Sequence, residues 1–237
     1  MPPHYNGTAI PLVVALHGLG ENYATNFQSE ISLDAVADAQ TFVVVYPLGS
    51  ESISPALFGH TWNGGKCCFS DANDHDFVLE VVTRTHQLVS VDAKRVYAVG
   101  FSAGGVMSHE LACTASDVFA AITSVDGPIE LKSACTPTRP ISVMHFHGTL
   151  DPIFPYGGTP LYNGALQTLA AWRTADACTG APTNATLDWR VHSQTFTCGG
   201  LSEVRLVTIT GGSHAWPPQD IKPCEYIWAF LSRFALN

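Results

Sequence analysis

Short apolar runs rich in β-branched residues recur at 12–16, 42–46, 95–99, 120–125, 141–147 and 204–210. Each is short and almost continuously hydrophobic, which reads as a strand buried on both faces. Longer stretches with helical spacing lie between them at 27–39, 77–89, 104–112, 161–177 and 225–234. Within 77–89, Phe77, Val78, Val81, Val82, Leu88 and Val89 make one broad face, with Glu80, Arg84 and Gln87 opposite. That is the pattern of a surface helix lying on a sheet. Strands alternating with helices predict an α/β fold with a mostly parallel central sheet flanked by helices.

Two stretches break this rhythm. Residues 49–76 carry Gly, Pro, Asn, Ser and the Cys67-Cys68 pair without strong periodicity, and a loop of this length is usually functional. Residues 179–186 read as irregular, and 187–196 alternate enough for an antiparallel pair or an edge excursion. With no internal repeat, low-complexity block or linker-like shift in composition, residues 1–237 are expected to form one domain.

Composition narrows the picture. The 237 residues are 46% apolar and only 13% charged, which excludes intrinsic disorder. The net charge is -9 and the longest basic run is the Lys94-Arg95 pair, so nucleic acid and anionic membrane surfaces are excluded as partners. The longest apolar run, 41–48, contains Pro47 and falls far short of the roughly 18 residues that cross a bilayer. Seven cysteines without Cys-x-x-Cys pairs argue against zinc and for oxidised pairs. The sequons Asn6-Gly7-Thr8 and Asn184-Ala185-Thr186 point the same way, to a secreted, extracellular glycoprotein. Met1-Pro2-Pro3 has neither the basic start nor the apolar segment of a signal peptide, so it is read as the start of a mature or trimmed chain.

The strongest chemical signal is Gly100-Phe101-Ser102-Ala103-Gly104-Gly105, set between strand 95–99 and helix 104–112. It matches the Gly-x-Ser-x-Gly nucleophile elbow, whose turn strains the serine backbone so that the hydroxyl projects above the sheet. Glycines at 100 and 104 let strand and helix approach closely. A serine hydroxyl needs a histidine to take its proton and an acid to orient that histidine. Asp151 follows strand 141–147 in Gly148-Thr149-Leu150-Asp151-Pro152, and His214 follows strand 204–210 in Gly211-Gly212-Ser213-His214. All three candidate catalytic groups then share the carboxyl edge of the sheet, where ligands of open α/β sheets bind.

Alternatives remain at this level. Asp126, after strand 120–125, is a second candidate acid. His145 and His147 are rival bases, or residues whose ring nitrogens bond nearby backbone. His60, His75, His86, His109 and His192 have no acid at a matching position and read as exposed or hydrogen-bonded side chains. The ten histidines show no His-x-x-x-His on a helix and no carboxylate-histidine cluster, so no metal site is expected. The backbone N–H of Leu19, in His17-Gly18-Leu19-Gly20 after the first strand, would pair with that of Ala103 to bind a developing oxyanion.

These elements, with Thr61-Trp62-Asn63, Cys67-Cys68, His147-Gly148-Thr149-Leu150-Asp151, Pro155-Tyr156 and the Ala215-Trp216-Pro217 that follows His214, run in consistent order over roughly residues 11–234. Together they resemble the polyhydroxybutyrate-depolymerase-like esterases, a group that includes feruloyl and acetylxylan esterases of the carbohydrate esterase type. The resemblance implies an α/β-hydrolase fold and a secreted serine carboxylesterase with Ser102, Asp151 and His214 as triad and no cofactor. It also leans toward a feruloyl (cinnamoyl) esterase acting on small or polysaccharide-linked plant cell-wall esters. The alternatives are a short-chain polyhydroxybutyrate depolymerase, an acetylxylan esterase, or a non-catalytic ligand-binding relative. Phe58, Trp62, Tyr156 and Trp216 are candidate substrate-binding walls, although each could equally pack as core. The family carries one or two strands ahead of the His-Gly strand where this chain has few residues, and Cys224 is not a family position.

For the cysteines, the expected pairs are Cys113 with Cys135 and Cys178 with Cys198, each local in the chain. Adjacent Cys67 and Cys68 are expected not to bond each other, because the ring so closed is strained.

Overall fold

A computed structural model describes residues 2–54, 58–68 and 70–237. The first half runs β1 (Ile10–Leu16), α1 (Ala24–Ile31), α2 (Leu33–Gln40), β2 (Val43–Val45), β3 (Ser50–Glu51), β4 (His60–Thr61), α3 (Asp74–Leu88) and β5 (Val91–Phe101). The second half runs α4 (Ala103–Thr114), β6 (Ala121–Val125), β7 (Ser142–Gly148), α5 (Ala165–Ala175), β8 (Thr183–Asp188), β9 (Val191–Thr197), β10 (Glu203–Ile209) and α6 (Pro223–Leu231). The main sheet has the order β2-β1-β5-β6-β7-β10-β9-β8. Its first six strands are parallel, and β9 and β8 fold back antiparallel at the edge beyond β10.

Alternation along the central strands splits the core in two. Leu12, Val14 and Leu16 of β1 face one apolar layer with Val82 of α3 and Val106, Met107 and Leu111 of α4. Val13 and Ala15 face the other, with Phe27, Ile31, Leu33, Ala37 and the Ile227 and Phe230 of α6. A side chain such as Phe230, 1% exposed, contributes about 1.5–3 kcal/mol by leaving water. The register pairs Leu16 with Gly100, Phe101 with Val125, Val125 with Phe146 and Ile209 with Gly148, so these strands end together at one edge.

Several boundaries differ from the sequence expectation for identifiable reasons. The single helix expected at 27–39 is two, broken at Ser32, whose φ of 55° is left-handed. In one continuous helix Ile31 and Leu33 would point about 200° apart. The break turns both inward, and both are buried. Helix α5 starts at Ala165 rather than 161, with the Gly164 N–H donating to Gln167 Oε1 at its first turn. Strand β8 takes up half of the stretch read as irregular, and β8 and β9 form the antiparallel pair. The long loop holds the two-residue pair β3-β4, and the Asn63 N–H donates to Asp74 Oδ2 at 2.6 Å. Residues 55–57 of that loop lie outside the described residues.

Cys113–Cys135 and Cys178–Cys198 are bonded as expected. Cys67 and Cys68 are also bonded to each other, contrary to expectation. The chain meets the demand of so small a ring by holding Cys68 at a φ of 80° in a tight turn, pinned where the Lys66 N–H donates to Glu130 O at 2.6 Å. Cys224 is free and buried, its thiol donating to Ile31 O. Both sequon asparagines, Asn6 and Asn184, are exposed. Among the described residues no helix is long and apolar enough to cross a membrane.

Candidate active site

Ser102 stands alone between the end of β5 and the start of α4, with φ 52° and ψ -116°. That left-handed φ is unfavourable for a residue with a side chain and is held by its surroundings. The Ser102 N–H donates to Val125 O at 2.8 Å, and its carbonyl accepts from Val106 N. The neighbouring glycines are obligatory. A Cβ on Gly104 would sit 2.0 Å from Leu16 O, and one on Gly100 would sit 2.0 Å from Gly104 O.

Two loops at the same sheet edge bring an acid and an imidazole to this hydroxyl. His214 Nε2 lies 2.8 Å from Ser102 Oγ, and His214 Nδ1 lies 2.7 Å from Asp151 Oδ2. Since a carboxylate only accepts, Nδ1 carries the proton and Nε2 presents its lone pair to the serine hydroxyl. The other Asp151 oxygen accepts the N–H groups of Ile153 at 2.8 Å and Phe154 at 2.9 Å. Burial opposes charge on Asp151, but the His214 bond and charge and these two backbone bonds together hold its pKa below the ordinary value. It is ionised at neutral pH. The two loops are laced together, the Leu150 N–H donating to Gly212 O and the Gly211 N–H to Thr149 Oγ1, both at 2.8 Å.

Asp126, the rival acid, bonds neither Ser102 nor His214 but grips both loops from below. Its Oδ1 accepts the Gly148 N–H at 2.9 Å and its Oδ2 the Ala215 N–H at 3.0 Å. Burial pushes its pKa up to about 7 against the pull of those bonds. Donor atoms of Asp126, Asp151 and His214 lie within 4.8 Å of one another, a spacing a metal ion could use. Their atoms are already engaged in the bonds above, so the arrangement is satisfied without a cation.

The rival bases are buried behind the acid. His147 Nε2 donates to Phe154 O at 2.7 Å, which leaves Nδ1 to accept from His145 Nε2 at 2.9 Å. Burial lowers the pKa of both rings, and each is neutral. Of the remaining histidines, His109 is buried and accepts the Trp172 indole N–H, and His75 pairs with Asp76. His60 bonds Gly49 O and His192 lies 3.3 Å from Thr186 Oγ1, while His86 sits in the last turn of α3.

His17 has bonding partners that spacing alone did not reveal. Its Nε2 accepts the Gly49 N–H at 2.9 Å, so Nδ1 carries the proton and donates to Gly18 O at 2.7 Å. In a trans peptide C=O and N–H point opposite ways, so anchoring Gly18 O turns the Leu19 N–H of the same unit away from His17. Burial lowers the His17 pKa to about 4, and the ring is neutral.

A cavity of about 220 Å³ opens beside Ser102 and Ala103. Leu19 and the Cys67–Cys68 disulfide form one part of its wall, and Ile153, Phe154 and Tyr162 the rest. None of the four aromatics expected as substrate walls is there. Trp62 is fully buried, donating its indole N–H to His17 O at 2.9 Å, and braces the end of β1 from behind. Phe58 is 84% exposed. Tyr156 lines a different groove beside β8 and β9, with its hydroxyl 2.7 Å from Thr208 Oγ1. Trp216 packs edge-on to Phe27 and Phe101 beneath the His214 loop. The cavity residues missed by sequence reading do follow recognisable landmarks, since Ile153 and Phe154 come directly after Asp151-Pro152.

Six parallel strands, helices on both faces and a serine elbow at the carboxyl edge make this an α/β-hydrolase fold. An acetyl xylan esterase from Aspergillus awamori shares it with a TM-score of 0.71 over 98% of this chain and 91% of that one, at 17% identity. Residues 1–154 match the family described as Esterase PHB depolymerase, and the chain belongs to that family. Feruloyl esterase B of Piromyces equi is 33% identical over 96% of the chain, and a bifunctional acetylxylan esterase/xylanase of Neocallimastix patriciarum 26% identical over 96%. The chain spans 43% and 31% of the lengths of these two relatives.

Proposed function

We propose that residues 1–237 form one catalytic unit, a secreted serine carboxylesterase with Ser102 as nucleophile, His214 as general base and acid, and Asp151 as the orienting carboxylate. The observation that carries this reading is the pair of contacts at His214, 2.8 Å to Ser102 Oγ and 2.7 Å to Asp151 Oδ2. His214 takes the hydroxyl proton as Oγ attacks the ester carbonyl, and Asp151 stabilises the imidazolium that forms. The N–H groups of Leu19 and Ala103 receive the oxyanion, and neither has a hydrogen-bond partner among the described residues. His214 then gives its proton to the leaving alcohol. Water, activated by the same imidazole, releases the acid. Three disulfides support an oxidising, extracellular compartment.

For substrate, the reading is a feruloyl or related cinnamoyl ester of plant cell-wall polysaccharide, supported by the likeness to the Piromyces feruloyl esterase and by an apolar cavity at the serine. A poly(3-hydroxyalkanoate) depolymerase C of Paucimonas lemoignei, 29% identical over 73% of the chain, favours a hydroxyalkanoate ester as second reading. The test is a rate panel of methyl ferulate, acetylated xylan and short polyhydroxybutyrate with wild type and Ser102→Ala. Hydrolysis of methyl ferulate above the other two, absent from Ser102→Ala, is the expected result. Comparable rates on all three would defeat the feruloyl reading.

A further inference from the structure

The adjacent disulfide lies in the wall of the cavity at Ser102, not at a remote site. Cys67 and Cys68 are 8% and 4% exposed, and the cavity they help to close is largely apolar. A disulfide offers a flat, polarisable, hydrogen-bond-poor surface, and sulfur packs favourably against aromatic rings. The facing wall is Phe154 and Tyr162, whose rings meet edge to face at 5.4 Å.

The two walls are tied together through one buried residue. The Glu130 carbonyl accepts the N–H of Lys66, next to the disulfide, and the Glu130 carboxylate accepts the N–H of Asn163, next to Tyr162. The Asn163 side chain donates to Ile129 O as well. The spacing between disulfide and rings is therefore set by hydrogen bonds to Glu130, a residue only 1% exposed. Cys68 itself is held at a φ of 80°, a conformation an unbonded cysteine leaves readily.

We propose that this cavity is the acyl-side subsite of the esterase, and that the Cys67–Cys68 disulfide is the wall that fixes which acyl groups it accepts. The inference rests on the esterase reading above and deepens it. At about 30 Å³ per water the cavity holds about seven waters, much more than an acetyl group fills. A flat acyl group of aryl-propenoyl or short-chain type fills it between the disulfide and Phe154, while the alcohol side of the ester stays outside. Without the ring, Cys68 relaxes out of its left-handed conformation and the slot between the walls widens. Larger acyl groups then lose contact, whereas acetyl makes little to lose.

Two experiments test this. Thiol titration of the unreduced, denatured protein is expected to find the single thiol of Cys224, and three thiols would overturn the proposal by showing Cys67 and Cys68 unbonded. Next, kcat and KM for nitrophenyl acetate, nitrophenyl butyrate and methyl ferulate are compared between wild type and Cys67→Ala/Cys68→Ala. Thermal unfolding establishes that the variant folds, and Cys68→Ser serves in its place if it does not. The expected result is that kcat/KM for methyl ferulate falls about tenfold more than that for the acetate, chiefly through KM. An acyl preference identical to wild type would overturn the subsite assignment while leaving the esterase reading intact. Undiminished hydrolysis by Ser102→Ala would instead remove the esterase reading.

Discussion

Asp126 Oδ2 accepts the backbone N–H of Ala215 at 3.0 Å, so a buried carboxylate holds the residue that directly follows the imidazole. Its other oxygen holds Gly148 at the root of the Asp151 loop, and one side chain thereby sets the relative position of acid and base. Asp126→Asn keeps one acceptor and turns an NH₂ group against the other N–H. A lost bond to a charged group is worth about 1.5–3 kcal/mol, or about tenfold to a hundredfold in rate if spent wholly on alignment. The expected outcome is a kcat lower by about that factor with KM little changed. An unchanged kcat would show that the loops hold their places unaided.

His17 is expected to act through the Gly18 carbonyl. His17→Phe preserves a ring and removes both nitrogens, freeing the Gly18-Leu19 peptide to rotate. Loss of one oxyanion donor lowers kcat by about 10²–10³-fold, and KM for a small ester should barely move. Because the ring is neutral down to a pKa of about 4, this contribution should be constant between about pH 5 and pH 8. Steady-state kinetics of wild type and variant at both pH values check this. A variant equal to wild type would remove His17 from the account.

Gly104→Ala is expected to damage structure as well as rate. Its Cβ would lie 2.0 Å from Leu16 O and 2.6 Å from His17 O, both backbone atoms at the end of β1. Relief needs movement of strand against helix, an overpacking that costs about 1–3 kcal/mol. At about 2–4 °C per kcal/mol for a chain of this size, a melting midpoint lowered by several degrees is expected. An unshifted midpoint would contradict the close approach.

How much of this was readable beforehand depends on whether local sequence determined it. The serine elbow was legible because Gly100 and Gly104 have a steric reason that shows in a five-residue window. The strand-end placement of Asp151 and His214 was legible because each follows a continuous apolar run. The role of Asp126 was not, since its partners Gly148 and Ala215 lie 22 and 89 residues away and are backbone groups. Trp62 illustrates the same limit. An aromatic in an aperiodic loop carries no sign of which way it points, and this one turns inward onto His17. The bond between Cys67 and Cys68 depends on a left-handed cysteine, which neither residue type announces.

Protonation of the buried carboxylates gives their share of stability a definite pH trend. Burial raises Asp126 and Asp176 each to about 7, far above the roughly 3.9 of an unfolded Asp. The native state then binds protons more tightly than the unfolded one. Their contribution is complete below about pH 4 and is lost as pH rises through about 7. Asp151, held low, acts oppositely, and its contribution is lost only on acidification below the ordinary carboxylate range. The buried neutral histidines, His17, His109, His145 and His147, act in the opposite sense, so the carboxylates are read by difference: the thermal midpoint of wild type minus that of Asp126→Asn/Asp176→Asn should fall between about pH 5 and pH 8. A difference that stays constant or grows across this window would contradict the burial of these two groups.

Ser102 as the sole nucleophile is tested by stoichiometric labelling with a fluorophosphonate, followed by peptide mass mapping and assay of residual nitrophenyl butyrate hydrolysis. The expected result is one adduct per chain, on the peptide carrying Ser102, with hydrolysis disappearing in proportion to labelling and no adduct on Ser102→Ala. Hydrolysis that survives complete labelling of Ser102, or an adduct formed at another residue with the same loss of activity, would contradict it.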